Sequence, residues 1–270
     1  VFYASQADLV PDPDTTPTVL KVYDLIPLHF PMRHPVARHL YGDYLRRIGR
    51  VRHIIVASQA TADDLTAQLG VPAGRITIVP YGVPRPVAPE GPTPQTPYAL
   101  YANSIEPHKN AGLAVDTIAR VPHMRLVMTG MWSGRQLAEL QRRAAELGTS
   151  DRIDWLGWIP AAHLAALRRG AVATLTTSRL EGFGLPVLES LAVGVPALAS
   201  DIAALREAGG SVATYLPFDP DAWAQALVAA QSQELRQQVA VNGPAHAATF
   251  TWQRAAAQTV AVWKRALAGD

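Results

Sequence analysis

The sequence predicts an α/β protein built on doubly wound parallel sheets in two units, and three observations carry this expectation. Short apolar runs of strand length alternate with longer helical stretches along most of the chain, as in a parallel sheet covered on both faces. One proline-dense stretch, VPRPVAPEGPTPQTP (83–97), has neither helical nor alternating periodicity and reads as an extended linker. The same strand–helix alternation stands on both sides of it.

Taken in order, VFYAS (1–5) and TVLKVYD (18–24) read as strands, 35–50 as a basic helix, HIIVAS (53–58) as a strand, 59–69 as a helix and RITIVPY (75–81) as a strand. Beyond the linker the strands are YALYAN (98–103), MRLVMTG (124–130), RIDWLG (152–157), AVATLTT (171–177), PALAS (196–200) and VATYLP (212–217). Helices are expected at 109–120, 134–148, 160–169, 186–193 and 202–207, and after Pro217 near 220–230, 232–247 and 251–267. The expected division is therefore an N-terminal Rossmann-like domain (1–84), a linker (85–97), a second Rossmann-like domain (98–250) and a C-terminal helix (251–270) that packs back toward the first domain. The front portion supplies fewer elements than a complete doubly wound domain needs. The N-terminal domain is accordingly expected to be incomplete in this chain, which begins at Val1 rather than Met.

Composition narrows the function. No run of eighteen residues is free of charge, so no spanning helix is expected. The chain has no cysteine, which excludes disulfides and thiolate metal sites and fits a reducing cytoplasm. A net charge of +2 over 270 residues falls well short of a nucleic-acid-binding signature. The stretch HPVARHLYGDYLRRIGRVRH (34–53) carries Arg38, Arg46, Arg47, Arg50 and Arg52. It reads either as a solvated basic face or as a contact for anionic lipid headgroups or a phosphorylated acceptor.

Two clusters carry chemistry. In EGFGLPVLESLAVGVPALAS (181–200), Pro186 suits the first turn of a helix and Gly194 its C-terminal cap. Gly182, Phe183, Gly184 and Leu185 then lie at the helix start, where free amides bind anions. Glu189, inside the helix, either reaches a ribose diol or is a solvated helix residue, while Glu181 either caps the helix or faces a ligand. The second cluster is NSIEPHKNAGL (103–113), where Lys109 is expected at the start of a helix directly after a strand. A lysine there opposes the helix dipole unless an anion lies between them.

Together with VYDLIPLHFP (22–31), VASQATADDL (56–65), IVPYGV (78–83) and LGWIP (156–160), these clusters resemble the retaining glycosyltransferases of family four, and the likeness covers essentially the whole chain. The most specific segment is SRLEGFGLPVLESLAVGVPALASDIAALREAGG (178–210), which holds the family's Glu-x₇-Glu motif as Glu181 and Glu189. The resemblance implies a GT-B fold, with two facing Rossmann-like domains. It implies transfer of a hexose, mannose- or glucose-type, from a nucleoside-diphosphate sugar such as GDP-mannose or UDP-glucose. The acceptor would be a glycan, lipid-linked or other hydroxyl, with retained anomeric configuration and no cofactor or metal.

Carried over by position, Glu189 binds the ribose, Glu181 lies near the donor sugar, and Phe183, Gly184 and Leu185 offer amides to sugar and diphosphate. Lys109 neutralises the diphosphate, flanked by Asn103 and Ser104, and Trp158 and Ile159 lie where the base rests. Tyr23 and Asp24 stand on the acceptor side. The chain departs from the family's pattern at Ala102-Asn103, where many members have Gly-Arg. It departs again at His108, where arginine commonly precedes the lysine, and at Tyr23, where the family has histidine; His29 nearby reads either as its stand-in or as a structural histidine of an apolar segment. Expected partners are a nucleotide-sugar donor and the acceptor, with no nucleic acid and with peripheral membrane contact through 34–53. The expected location is cytoplasmic, at the inner face of a bacterial plasma membrane. A nucleotide-sugar epimerase on the same fold, or a truncated, non-catalytic nucleotide-sugar-binding chain that needs a partner, are the alternative readings.

Overall fold

Val19, Leu20, Ile54, Ile55 and Val56 are withdrawn from solvent, as strands covered on both faces require. They build the sheet of the first of two compact units in the computed structural model, which describes residues 2–4, 16–30, 47–48 and 50–268. The first unit holds β1 (Phe2–Ala4), β2 (Thr18–Lys21), α1 (Ile26–His29), β3 (His53–Val56), α2 (Gln59–Leu69) and β4 (Ile76–Ile78). Its strands run parallel in the order β1-β2-β3-β4. Ser58 starts α2 by accepting a hydrogen bond from the Thr61 amide, and Gly70, at φ 64°, ends it in the left-handed conformation.

The expected strand over 18–24 stops at Lys21, and a short helix not expected from the sequence, α1, follows. Pro27 lies in its first turn, where a missing N–H costs nothing. Most of the basic stretch 34–53 lies outside the described residues. At its end, Arg52 donates to the Ala266 carbonyl at 3.1 Å, and His53 opens β3.

The second unit contains β5 (Tyr98–Ala102), α3 (Ala111–Ala119), β6 (Arg125–Thr129), α4 (Gly134–Glu146), β7 (Ile153–Gly157), α5 (Ala161–Gly170), β8 (Ala173–Thr176), α6 (Leu185–Leu191), β9 (Ala197–Ser200), α7 (Ala203–Gly209), β10 (Thr214–Leu216), α8 (Pro220–Ala229) and α9 (Gln233–Ala247). All pairings are parallel, in the order β10-β9-β8-β5-β6-β7. Counted from β5, this is the doubly wound order 3-2-1-4-5-6, with its switch point between β5 and β8. The core beneath it gathers Tyr101, Ile118, Met124, Met128 and Trp223. The buried Trp223 indole donates to the Pro217 carbonyl at 2.7 Å, so its polar atom is satisfied.

Residues 181–183 and 250–270 group with the first unit. Within it α10 (Trp252–Ala268) lays Ala255, Val262 and Ala266 against Val19, Ile55 and Val79. These three helical positions, spaced seven and four apart, form one apolar stripe.

Candidate functional site

In a doubly wound sheet, ligands gather at the carboxyl ends of the strands beside the switch point. The Lys109 segment follows β5, and the Glu-x₇-Glu segment follows β8. Lys109 does not begin a helix, as the sequence reading expected. It closes a 3-10 turn, Pro107–Lys109, and Asn110 at φ 51° turns the chain before α3 starts at Ala111. Asparagine tolerates this left-handed conformation better than most residues. Thr177, just past β8, shares its hydroxyl between the carbonyls of Lys109 and Asn110, at 2.9 and 3.1 Å. The Arg179 amide donates to the His108 carbonyl at 2.7 Å. The turn holding Lys109 is thus fastened to the end of β8.

Glycine at 184 is required by its φ of 123°, which L-residues rarely adopt, and it occupies the N-cap of α6 with no side chain to offer. Glu181 therefore does not fill the cap position. Leu185 opens the helix, with Pro186 behind it in the first turn. One turn into α6, Glu189 meets Arg168 in the last turn of α5, where Arg168 Nη2 lies 2.6 Å from Glu189 Oε2. Burial pulls the Arg168 guanidinium below its ordinary range, and Glu189 opposes the shift. Both side chains line a cavity of ≈ 170 Å³ with Val83–Val87 and the flanks of α5 and α6.

The other nucleotide-side residues stand apart from this pair. Asn103 turns its carboxamide oxygen back to the Ser104 amide, at 3.0 Å, and its own carbonyl accepts from the Trp132 indole. Ser104 accepts from the buried Tyr101 hydroxyl through its carbonyl. Trp158, just past β7, is 71% exposed, whereas Ile159 packs on the core beside it.

In the first unit, the Gly182 carbonyl accepts from Ser58 and Thr61 hydroxyls at 2.7 and 3.2 Å. A Cβ on Gly182 would stand 2.1 Å from the Tyr23 carbonyl oxygen. Buried Phe183 meets Tyr81 and Phe250 edge-on, and Glu181 is half-buried. Tyr23 is half exposed, and Asp24 accepts from the Ile26 amide at 3.0 Å, an Asx turn that leads into α1. His29 is held by Asp64 of α2 at 2.7 Å, a pairing within the scaffold.

Sequence reasoning missed Arg168, Thr177 and Lys21. Arg168 and Arg169 end a helix, where basic residues need no further reason. Thr177 acts through backbone carbonyls, which no residue pattern records. Lys21, in a strand, is only 6% exposed and lies 4.5 Å over the Tyr81 ring, and burial lowers its pKa to about 8. The sequence reading also passed over two Asp-Pro-Asp triplets. Asp12–Asp14 lies outside the described residues. In the other, Asp219 caps α8 and Asp221 pairs with Arg120, so that triplet is scaffold.

Two parallel sheets, one wound about a switch point with a lysine turn and a paired glutamate beside it, define a protein of the Rossmann-like α/β class. The profile of a family described as Glycosyl transferases group 1 matches residues 87–244, and one described as Glycosyltransferase Family 4 matches 15–85. The chain belongs to the group 1 glycosyl transferases.

Among its relatives, the O-antigen chain mannosyltransferase B of Escherichia coli is 27% identical over 91% of this chain and 70% of its own length. The MMP alpha-(1->4)-mannosyltransferase of Mycolicibacterium hassiacum is 29% identical over 87% of this chain and 60% of its own length. The D-inositol 3-phosphate glycosyltransferase of Streptosporangium roseum is 31% identical, over 96% of this chain and 65% of its own length. Against the second and third, the chain thus spans under two thirds of the relative's length.

Sucrose-phosphate synthase from Thermosynechococcus elongatus superposes with a TM-score of 0.79 at 20% identity, covering 94% of this chain and 69% of that one. Anabaena HepE in complex with UDP and glucose does so at 0.74 and 17%, covering 91% and 72%. These likenesses show the fold, which is GT-B. No helix among the described residues is long and apolar enough to cross a membrane.

Proposed function

We propose that this chain carries the nucleotide-sugar site of a retaining hexosyltransferase that moves a mannose- or glucose-type residue from a nucleoside-diphosphate sugar to a hydroxyl of a glycan or lipid-linked acceptor. The observation behind this reading is the fastening of the Lys109 turn to the end of β8 at the switch point. It keeps the Lys109 segment at the strand ends where a doubly wound sheet takes its ligands, which supports a phosphate-facing role for that lysine. Two relatives named as mannosyltransferases favour the mannose-type sugar.

In this reading the bond between the sugar C1 and the diphosphate oxygen breaks, and the acceptor oxygen bonds to C1 on the face the diphosphate leaves. The acceptor proton passes to the departing phosphate. Lys109 and the amides of Gly184 and Leu185 stabilise the charge that grows on that phosphate, so catalysis is positioning and electrostatics rather than covalent chemistry. Glu181 and Tyr23 act near the donor sugar and the acceptor. The reaction is placed in the cytoplasm, beside the membrane if the acceptor is lipid-linked.

The test is incubation with GDP-mannose and with UDP-glucose plus glycan and lipid-linked acceptors, with the product's anomeric configuration read by NMR. An α-linked product from an α-linked donor is expected. An epimerised donor with no new glycoside would make the chain an epimerase, and nucleotide-sugar binding without turnover would make it a binding protein.

A further inference from the structure

The Arg168–Glu189 pair uses only part of its hydrogen-bonding capacity. One guanidinium nitrogen meets one carboxylate oxygen at 2.6 Å, with the side chains 13% and 28% exposed. Neither Glu189 Oε1 nor the remaining N–H groups of Arg168 have another hydrogen-bond partner among the described residues. Both side chains line a cavity of ≈ 170 Å³ whose other walls are largely apolar, including Val83, Val87, Leu164, Ala165 and Val193. The free carboxylate oxygen and N–H groups are not among the buried unpartnered atoms, so water reaches them until a ligand that both donates and accepts takes its place.

What completes it has to donate to a carboxylate oxygen and accept from a guanidinium within a few ångströms. A lone anion fails the first requirement, and a lone cation fails the second. A vicinal diol meets both, because each hydroxyl donates and accepts.

We propose that Arg168 is a nucleoside-recognition residue: it holds Glu189 by one oxygen and donates to the ribose diol whose hydroxyl the other oxygen accepts. This rests on the reading that Glu189 belongs to the nucleotide-sugar site. Arg168 lies in a different helix from Glu189, so α5 and α6 read the ribose jointly. The guanidinium's fork suits this bridging role, and a lysine ammonium, a single point donor centre, does not.

The test measures, by calorimetry, the binding of UDP, GDP and ADP and of their 2′-deoxy forms to the parent chain and to Arg168→Ala, Arg168→Lys and Glu189→Gln. The parent is expected to prefer the ribose form of its nucleotide by tenfold or more. Arg168→Ala reduces that preference to threefold or less while the protein stays folded, and Arg168→Lys restores only part of it. Arg168→Met, which keeps the aliphatic stem, carries the same test if the alanine variant unfolds. A full ribose preference in Arg168→Ala or Arg168→Met, with Glu189→Gln losing it, overturns the inference and leaves the donor-site reading standing. A parent chain that binds none of the three nucleotides overturns both.

Discussion

The hydroxyl of Thr177 is shared between the carbonyls of Lys109 and Asn110, at 2.9 and 3.1 Å, so the loops that follow β5 and β8 are tied to each other. Thr177 is fully buried, and its loss takes a hydroxyl donor from both carbonyls, of which the Asn110 carbonyl keeps the Leu113 amide at 3.0 Å. Thr177→Val, nearly the same shape, is therefore expected to destabilise the protein by about 1–3 kcal/mol. Thr177→Ser, which keeps the hydroxyl, is expected to stay close to the parent. Thermal melts of the three proteins check this, and equal melting temperatures for valine and serine would show that the tie contributes nothing.

Lys109 supplies the positive charge in the proposed donor site. Lys109→Ala is expected to weaken binding of a nucleoside diphosphate by tenfold or more, about 1.4 kcal/mol, and to leave binding of the bare nucleoside nearly unchanged. Screening makes the parent's diphosphate affinity fall as salt rises, and the variant's less so. Calorimetry at two salt concentrations reads both effects. Equal losses for nucleoside and diphosphate would mean that the lysine shapes the loop and does not face the phosphates.

Glu181→Gln keeps shape and removes charge. If Glu181 acts on the donor sugar, turnover falls at least tenfold while nucleotide affinity stays near the parent value. Steady-state kinetics beside a binding isotherm separates the two. The N-cap of α6 belongs to Gly184, so a stability loss in place of a kinetic one is not expected.

The parts of the molecule legible in the sequence are those fixed by local chemistry. Apolar runs located the strands of the second unit to within two residues at either end, and Pro186 marked the start of α6 through its fixed backbone angle. The start of α3 was misplaced because Asn110 takes a left-handed conformation that the residue type permits but does not demand. Arg168 was invisible for a different reason. Its partner lies 21 positions away on another helix, and only the order of strands brings those helices together.

Lys21 gives the pH dependence a definite sign. Its ordinary pKa of 10.5 falls to about 8 because burial penalises the charge. Between those values the unfolded chain holds a proton that the folded chain has released, so stability rises with pH from about 8 toward 10. Below pH 8 both states are protonated and the burial penalty is present in full. Above pH 10 the buried tyrosines oppose the gain. Tyr98 and Tyr215 are raised to about 12 and Tyr81 is raised further, so the unfolded chain loses those protons first. Lys21→Met is expected to stabilise the protein at pH 7 and to flatten the rise between pH 8 and 10. Denaturant melts at pH 7, 8, 9 and 10 test it, and a parent curve that falls over this range would contradict the sign.

The two glycines of the Glu181–Leu185 loop are required for different reasons, and a pair of variants separates them. At Gly182 a Cβ would stand 2.1 Å from the Tyr23 carbonyl oxygen, a backbone atom that no rotamer change can move. At Gly184 the nearest obstacle is Leu205 Cδ2 at 2.8 Å, the far end of a flexible side chain, and the stronger demand is the φ of 123°. Both alanine substitutions are expected to destabilise, by about 1–3 kcal/mol for the strained conformation at Gly184 and by at least as much at Gly182. Shortening Leu205 to alanine removes the closest contact, with Ala208 Cβ still 3.1 Å away, and leaves φ unchanged. The double variant Gly184→Ala, Leu205→Ala is therefore expected to be no more stable than Leu205→Ala with the full Gly184→Ala cost added. Recovery of most of that cost in a double-mutant cycle would show that contact with Leu205, rather than backbone conformation, selects glycine at the start of α6.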